Sequence, residues 1–434
     1  MGRLHACAKS LCIVAFILTM PSLFSQQTGT GNEVIRHIPQ SDSALVALID
    51  SLEKEHYLKA ERVFNEEMAE GWMPAGFVSV QLGRLLNYNH YEGFKPGVGL
   101  RTNAFLSELF STGGFYSRSL RSEDNNYGAF FRLYLEASRS SYLDLAFQKD
   151  LNATGTFYFL EGVEPFSDER FKMFATESVD LTRKYSIAVT QQLSASLKGE
   201  LSWNHANLSP RKLYPFLTDS TNLGDLQGNE AGLRLKWHTK KETATTIWTN
   251  VFFGQGNKTV PYEYIRLETQ AEISVPLSAV WTTDVRMTAA NIRGDLQASH
   301  LYSAFGTRSR LVGIESRFSF ATMSPSEFAA TSFAILYLRA SLQTGKDKPY
   351  GFRPLIIFSS SGGVGNLSQA FDEIAKTFEK GYFESGIYFA ELLRHEFVSC
   401  GLSLHYRYGP YAMQRTIDNL AIKLGILIKT KSKN

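Results

Sequence analysis

Hydrophobic and polar positions alternate with a period of two through most of this chain. Between Val398 and Met413, Val398, Cys400, Leu402, Leu404, Tyr406 and Tyr408 fall on one side, and Ser399, Gly401, Ser403, His405 and Arg407 on the other. Successive side chains of a strand leave on opposite faces, so this is a strand pattern with one apolar and one polar face. It recurs in YIRLETQAEISV, where Ile265, Leu267, Thr269, Ala271, Ile273 and Val275 oppose Arg266, Glu268, Gln270, Glu272 and Ser274. EAGLRLKWH, GAFFRLYLEA, RLVGIESRFSFA and NLAIKLGILI repeat it. RLVGIESRFSFA sets Val312, Ile314, Phe318 and Phe320 against Gly313, Glu315, Arg317 and Ser319. The early chain differs. Residues 26–41 are polar, Leu45, Leu48, Ile49 and Leu52 recur at helical spacing, and Leu58 to Met68 reads as a second helix stopped by Gly71 and Pro74.

Segment length decides which solvent the apolar face meets. Globular strands average about 5–6 residues, whereas a tilted bilayer-crossing strand needs about 9–11. The segments here match the longer value, and a closed barrel leaves no edge bare. We therefore expect an all-β fold, a transmembrane antiparallel β-barrel of roughly 14–16 strands, with a short helical N-terminal periplasmic segment. Val398, Leu402 and Leu404 are expected to face lipid, with Tyr406 and Tyr408 in an interfacial girdle. Long connections are expected outside the cell, among them KDKPYGFRP and the Gly155–Glu169 and Ser209–Asn229 stretches.

Composition sharpens this. Beyond the N-terminus there is no apolar run of about 18 residues, which excludes a polytopic helical membrane protein. Charge is nearly balanced, 45 Lys+Arg against 42 Asp+Glu among 434 residues, so no nucleic-acid partner is expected. Residues 1–25 have the basic, apolar and small-residue parts of a cleaved signal peptide. Their removal takes Cys7 and Cys12 and leaves Cys400, so no intrachain disulfide is expected. The expected organisation is a signal peptide at 1–25, a periplasmic leader at 26–74 and an outer-membrane barrel at 75–434.

Several motifs occur in a familiar order: GWMPAGFVSVQLGRLLNYNHYEGFKPGVGLRTN (Gly71–Asn103), NIRGDL (Asn291–Leu296), ATMSPSEFAAT (Ala321–Thr331), FEKGYFESGIYFAELL (Phe378–Leu393) and YRYGPYAMQRTIDNLAIKLGI (Tyr406–Ile426). Together they resemble an outer-membrane β-barrel family of Bacteroidetes of unknown function. Longer members carry a carboxypeptidase-regulatory-like domain ahead of the barrel. The stretch before Gly76 is too short for that domain, which is not expected here. The resemblance implies a fold and a location and supplies no activity.

Candidate chemistry is sparse. FGQGNKT lacks the adjacent Gly-Lys-Ser/Thr of a phosphate loop, and SGGVGN reads as a turn. RHEFVS holds His-Glu without a second His, so no metal site is expected. No nucleophile elbow occurs. Neither an enzyme nor a cofactor is expected. The candidate lumen residues are Arg132, Glu136, Arg234, Lys236, Arg266, Glu268, Glu272, Arg286, Glu315, Arg317, His405 and Arg407, with Arg101 as a further one. Two readings stay open for them, a polar conduit and an interior filled by ion pairs. The function expected first is a channel or conduit for small polar solutes. The alternatives are an envelope assembly or export barrel and a structural or surface-binding barrel with a closed lumen. Expected partners are outer-membrane lipid, the barrel-assembly machinery during biogenesis, and a periplasmic partner through residues 41–68.

Overall fold

The computed structural model describes residues 57–163, 165–212, 214–218, 224–239, 243–256, 261–304, 306–309, 313–344, 355–395 and 398–428. The expected signal peptide, the helix expected from Leu45 and the stretch KDKPYGFRP lie outside these residues.

Strands β1 (Trp72–Ala75) and β2 (Val78–Gln81) form a small hairpin. A helical turn, Leu82–Leu85, interrupts the run before β3 (Leu86–Asn89). Both β2 and β3 pair with β4 (Gly93–Thr102), so together they make one broken first strand. The wall continues antiparallel through β5 (Phe110–Arg118), β6 (Asn125–Tyr134), β7 (Tyr142–Ala153), β8 (Val179–Ser194), β9 (Leu197–Pro210), β10 (Leu226–Thr239), β11 (Ala244–Gly256), β12 (Tyr262–Pro276) and β13 (Trp281–Asp295). It resumes with β17 (Ser332–Gln343), β18 (Leu355–Asn366), β19 (Tyr382–Arg394), β20 (Val398–Tyr408) and β21 (Leu420–Ile428). Counting the broken first strand, the wall has sixteen strands, at the upper end of the expected range. Three two-residue strands, β14 (Tyr302–Ser303), β15 (Gly313–Ile314) and β16 (Ala329–Ala330), lie in the long connection between β13 and β17. Among the described residues, no helix is long and apolar enough to cross a membrane.

The burial pattern is inverted relative to a water-soluble domain. Leu145, Ile187, Leu201, Leu267, Met287, Leu336, Leu402 and Leu404 are exposed on the outer surface, while Glu200, Asn250, Glu268, Arg286, Arg339, Glu384 and Lys423 are buried. Alternation puts the polar set inside and the apolar set outside, the order a hydrocarbon surround demands. Tyr406 and Tyr408 are exposed as expected, and His405 and Arg407 are buried. Val398 departs from expectation: it shares the parity of Leu402, yet is buried. It sits at the first position of β20, just past the register shift in the β19–β20 ladder, so its alternation does not translate into outward exposure.

The connections divide unequally between the two ends. One end has turns such as 195–196, 240–243 and 277–280; the other carries 154–178, 211–225, 296–331 and 367–381. The Gly155–Glu169 and Ser209–Asn229 stretches share the long-loop end. KDKPYGFRP lies outside the described residues, and the paired residues on either side of it, Gln343 and Leu355, are at the short-turn end. A strand pattern read one crossing out of phase changes the end to which a loop belongs.

Helix 57–69 packs at the short-turn end against β4 and its following turn, in agreement with the helix expected from Leu58 to Met68. Its Val63 and Glu67 are buried. Arg101 of β4 bonds Glu67 at 2.9 Å and Glu70 at 2.6 Å, and its guanidinium lies 4.6 Å from the Trp72 ring centroid. Lys59 and Arg62 reach Glu108 in the β4–β5 turn.

Candidate functional site: a lumen filled by two inner segments

Segments 154–178 and 296–331 fold back from the long-loop end into the barrel. They meet at Gly155, whose φ is +70°. A Cβ there would lie 2.5 Å from the Ser303 amide nitrogen and 2.7 Å from the Leu301 carbonyl oxygen, so glycine is required for this approach. Phe157 then stacks on Phe333 and meets Tyr302 edge-on. The resulting core of Tyr302, Phe318, Phe320, Met323, Phe328, Phe333, Tyr337, Phe378 and Tyr382 lies inside the barrel.

Wall side chains bind the first segment through its backbone and its carboxylates. Trp248 donates to the Leu160 carbonyl at 2.9 Å and Asn250 to the Tyr158 carbonyl at 3.1 Å. Glu161 takes Lys198 at 2.7 Å and Lys236 at 3.2 Å. A 3-10 helix, Asp168–Ala175, starts at Ser167, whose hydroxyl accepts from the Glu169 amide. Glu169 receives both terminal nitrogens of Arg286, at 2.7 and 2.8 Å, and Lys172 at 2.8 Å. Burial pushes the Glu169 carboxyl upward, but the Lys172 and Arg286 cations outweigh it and hold it down at about 2. Arg286 also bonds Glu272, and Arg317 reaches Glu272 at 3.4 Å and Asp284 at 3.1 Å.

The second segment is fastened mainly to the last three strands. Glu384 of β19 accepts from the Ala321 and Thr322 amides at 2.7 and 2.9 Å and from the Thr322 hydroxyl at 2.6 Å. Arg407 bonds Glu327 at 3.0 Å. Glu315 takes Ser403 at 2.6 Å and His405 at 2.9 Å. Lys423 of β21 bonds the Thr307 carbonyl at 3.0 Å. Close by, Tyr388 lies over the glycine pair Gly401 and Gly425. A Cβ on Gly425 would stand 2.0 Å from the Tyr388 hydroxyl oxygen, so the ring fits only over a side-chain-free patch of wall.

The second segment also supplies a strand to the wall. β15 pairs in parallel with β21, Gly313 opposite Lys423 and Ile314 opposite Leu424, and the Glu315 amide continues the pairing to the Leu424 carbonyl at 2.8 Å. Among the described residues, β21 pairs with β20 and β15, and β2 and β3 pair with β4, with no ladder between the two groups. The described wall therefore has a seam, and the edge of its last strand away from β20 is taken by an inner segment.

Most candidate lumen residues do meet inside. Arg286, Glu272 and Arg317 form one cluster. Arg266 and Glu268 form another, with Glu230, Asn250 and Tyr302. Arg234 pairs with Glu200, Lys236 with Glu161, and Arg132 with Asp144 at 2.7 Å. Two expectations are corrected. Glu136 is not in the lumen: β6 ends at Tyr134, and Glu136 is exposed in the following turn, where it accepts from Ser140. Glu315 and Arg317 do line the interior, but not as residues of a wall strand. In RLVGIESRFSFA the described strand is Gly313–Ile314 alone, and Phe318 and Phe320 are buried, not outward. Alternation appeared there because a segment enclosed by wall on all sides also buries apolar side chains while pairing its charges. Arg101 is buried as proposed.

Sequence reasoning missed Glu161, Glu169, Glu384 and Lys423. The last had a signal: it is a lone cation at an inward position of NLAIKLGILI. Glu384 likewise has inward parity between Phe383 and Ser385. Glu161 and Glu169 lie in a connection and had none. Among the described residues, no group of three or more His, Cys, Asp or Glu could hold a metal ion.

No family model matches the chain, and none of the curated proteins does. Solved structures do. BamA from Haemophilus ducreyi lacking POTRA domains 1–3 aligns with a TM-score of 0.52 at 11% identity, over 82% of this chain and 70% of that one. CdiB from Escherichia coli aligns with a TM-score of 0.47 at 11% identity, over 81% and 62%. CdiB from Acinetobacter baumannii gives 0.43 at 10% identity, over 78% and 57%. At these identities the likeness is one of fold: the chain has the fold of an outer-membrane β-barrel.

Proposed function

We propose that this protein sits in a bacterial outer membrane and handles polypeptide segments at its seam, as an envelope assembly or export barrel. The observation that carries the reading is the pairing of β21 with β15. An unpaired strand edge is a template for adding another strand. Here that edge is occupied by a strand of two residues from inside, which leaves most of its length without a ladder partner among the described residues. On the other side of the seam the first strand is broken at Leu82–Leu85, which leaves it unable to present a continuous ladder.

The solute conduit expected first from the sequence fits less well. Its lumen would have to lose both inner segments, which are held by buried ion pairs and an aromatic core. Depletion of the protein in its own cells tests the proposal, with the amounts of other folded outer-membrane barrels as the readout. A selective fall in those barrels supports it. Unchanged barrels, together with stable conductance steps from the purified chain in a planar bilayer, would refute it and restore the conduit.

A further inference from the structure

We infer that the outer wall carries a binding site for the phosphate of a net-anionic lipid headgroup, one with no cation of its own beside the phosphate, formed by Lys149 and Arg183 at the long-loop end. The inference rests on the membrane placement proposed above. Lys149 of β7 and Arg183 of β8 are direct cross-strand partners. Both have outward parity: Leu145 and Phe147 precede Lys149 on its face, and Tyr185 and Ile187 follow Arg183 on its own. Like charges directly opposite each other on a sheet destabilise it. Among the described residues, no carboxylate pairs with either cation. Nor could a neighbouring strand supply one, because the outward positions of β6, β7, β8 and β9 hold no Asp or Glu. Across those four strands Lys149 and Arg183 are the two charges on the outer face.

Their height on the wall identifies the missing anion. One row toward the short-turn end, Phe147 and Tyr185 are partners with ring centroids 4.9 Å apart. Below them come Leu145 with Ile187, then Leu143 with Val189. On the other side of Lys149 stands Tyr127, its ring centroid 5.6 Å from the ammonium. One row above, Leu151 and Leu181 are buried with Val179 under the loops. The cations thus lie just above an aromatic row that tops an uncharged belt, the level of headgroups in a membrane barrel. A phosphate there would receive a point charge from Lys149 and a forked donor from Arg183, with its acyl chains lying along the belt below. The sector at β12 and β13 lacks this arrangement: outward Arg293 is accompanied by outward Glu263 and Asp295.

The full chain would be refolded in phosphatidylcholine vesicles, with insertion and folding checked by heat-modifiable gel mobility. Association of spin-labelled phosphatidylglycerol and spin-labelled phosphatidylcholine with the barrel would then be compared. The expected result is a several-fold preference for phosphatidylglycerol that falls with salt. The preference disappears in Lys149→Gln/Arg183→Gln and survives in Arg293→Gln. Equal association of the two lipids with the folded wild type would overturn the site, as would an unchanged preference in the double variant. Loss of the preference when inorganic phosphate replaces chloride at constant ionic strength would overturn its assignment to a lipid. A chain that folds but stays out of the vesicles would overturn the membrane placement as well.

Discussion

The wall between β8 and β13 and the wall around the seam are made of the same kind of sequence, yet they are held together differently. From β8 to β13 each strand pairs with both neighbours along nearly its whole length, with one register shift at Gln192/Ser194. Backbone hydrogen bonds do the holding, and side chains only set which face is which. At the seam the first strand is broken, and β21 has a two-residue partner on its free edge. There the holding passes to side chains of β19, β20 and β21: Glu384, Ser403, His405, Arg407 and Lys423, all directed at segment 296–331. A ladder is lost only as a whole, whereas a set of side-chain fastenings can be released in steps. On the proposed function, that difference is what lets the seam change its partner.

Single substitutions can break this comparison. The largest effect is expected at Arg286, which sits on β13 in the continuous wall and ties it to Glu169 and Glu272. Arg286→Ala strands a buried carboxylate and should cost about 3–5 kcal/mol, read as a lower denaturant midpoint for the entire barrel. Glu384→Ala removes an acceptor shared by three donors, with a loss of about 2–4 kcal/mol. The two should differ in reach. Amide hydrogen exchange should rise across β8–β13 in Arg286→Ala, but in segment 296–331 and β21 first in Glu384→Ala.

Acid provides a graded version. The Glu169 carboxyl is held at about 2, below its ordinary value. A depressed acid contributes stability above its unfolded pKa and loses it as pH falls through the folded one. Segment 154–178 should therefore stay docked near neutrality and loosen progressively from about pH 4.5 toward 2, measurable as quenching of Trp248 fluorescence. Arg286→Ala should move that loosening to higher pH. The smallest effect belongs to the helix at the short-turn end. Its Lys59 and Arg62 contacts with Glu108 are solvent-exposed, so Glu108→Gln should change stability by no more than about 1 kcal/mol. Arg101→Met, which removes the buried contact to Glu67, should release the helix to protease.

The wall was legible in the sequence for a simple reason. Alternation over a dozen residues is set by two solvents on two faces, and no local feature of these strands contradicts it. Thus Arg266, Glu268, His405 and Leu404 could be assigned to faces before any coordinates. The seam was not legible, because a missing ladder leaves no mark on the residues that would have formed it. The inner segments were read incorrectly for a related reason. Glu315, Arg317, Phe318 and Phe320 alternate as a wall strand would, though the wall surrounds them. Lys423 and Glu384 hinted at the fastening, as charges at inward positions with no reason to be inside unless something there pairs with them.

The account turns on β15 occupying the free edge of β21. The direct test is disulfide trapping in a chain lacking residues 1–25 and carrying Cys400→Ser, with Ile314→Cys and Leu424→Cys introduced at opposed positions of that pairing. Mild oxidation of the barrel refolded in lipid vesicles should join the two thiols in high yield, with the barrel still heat-modifiable. Thiols that remain free under the same oxidation, in a folded barrel, would mean that the last strand is held by something else, and the seam as described would not exist.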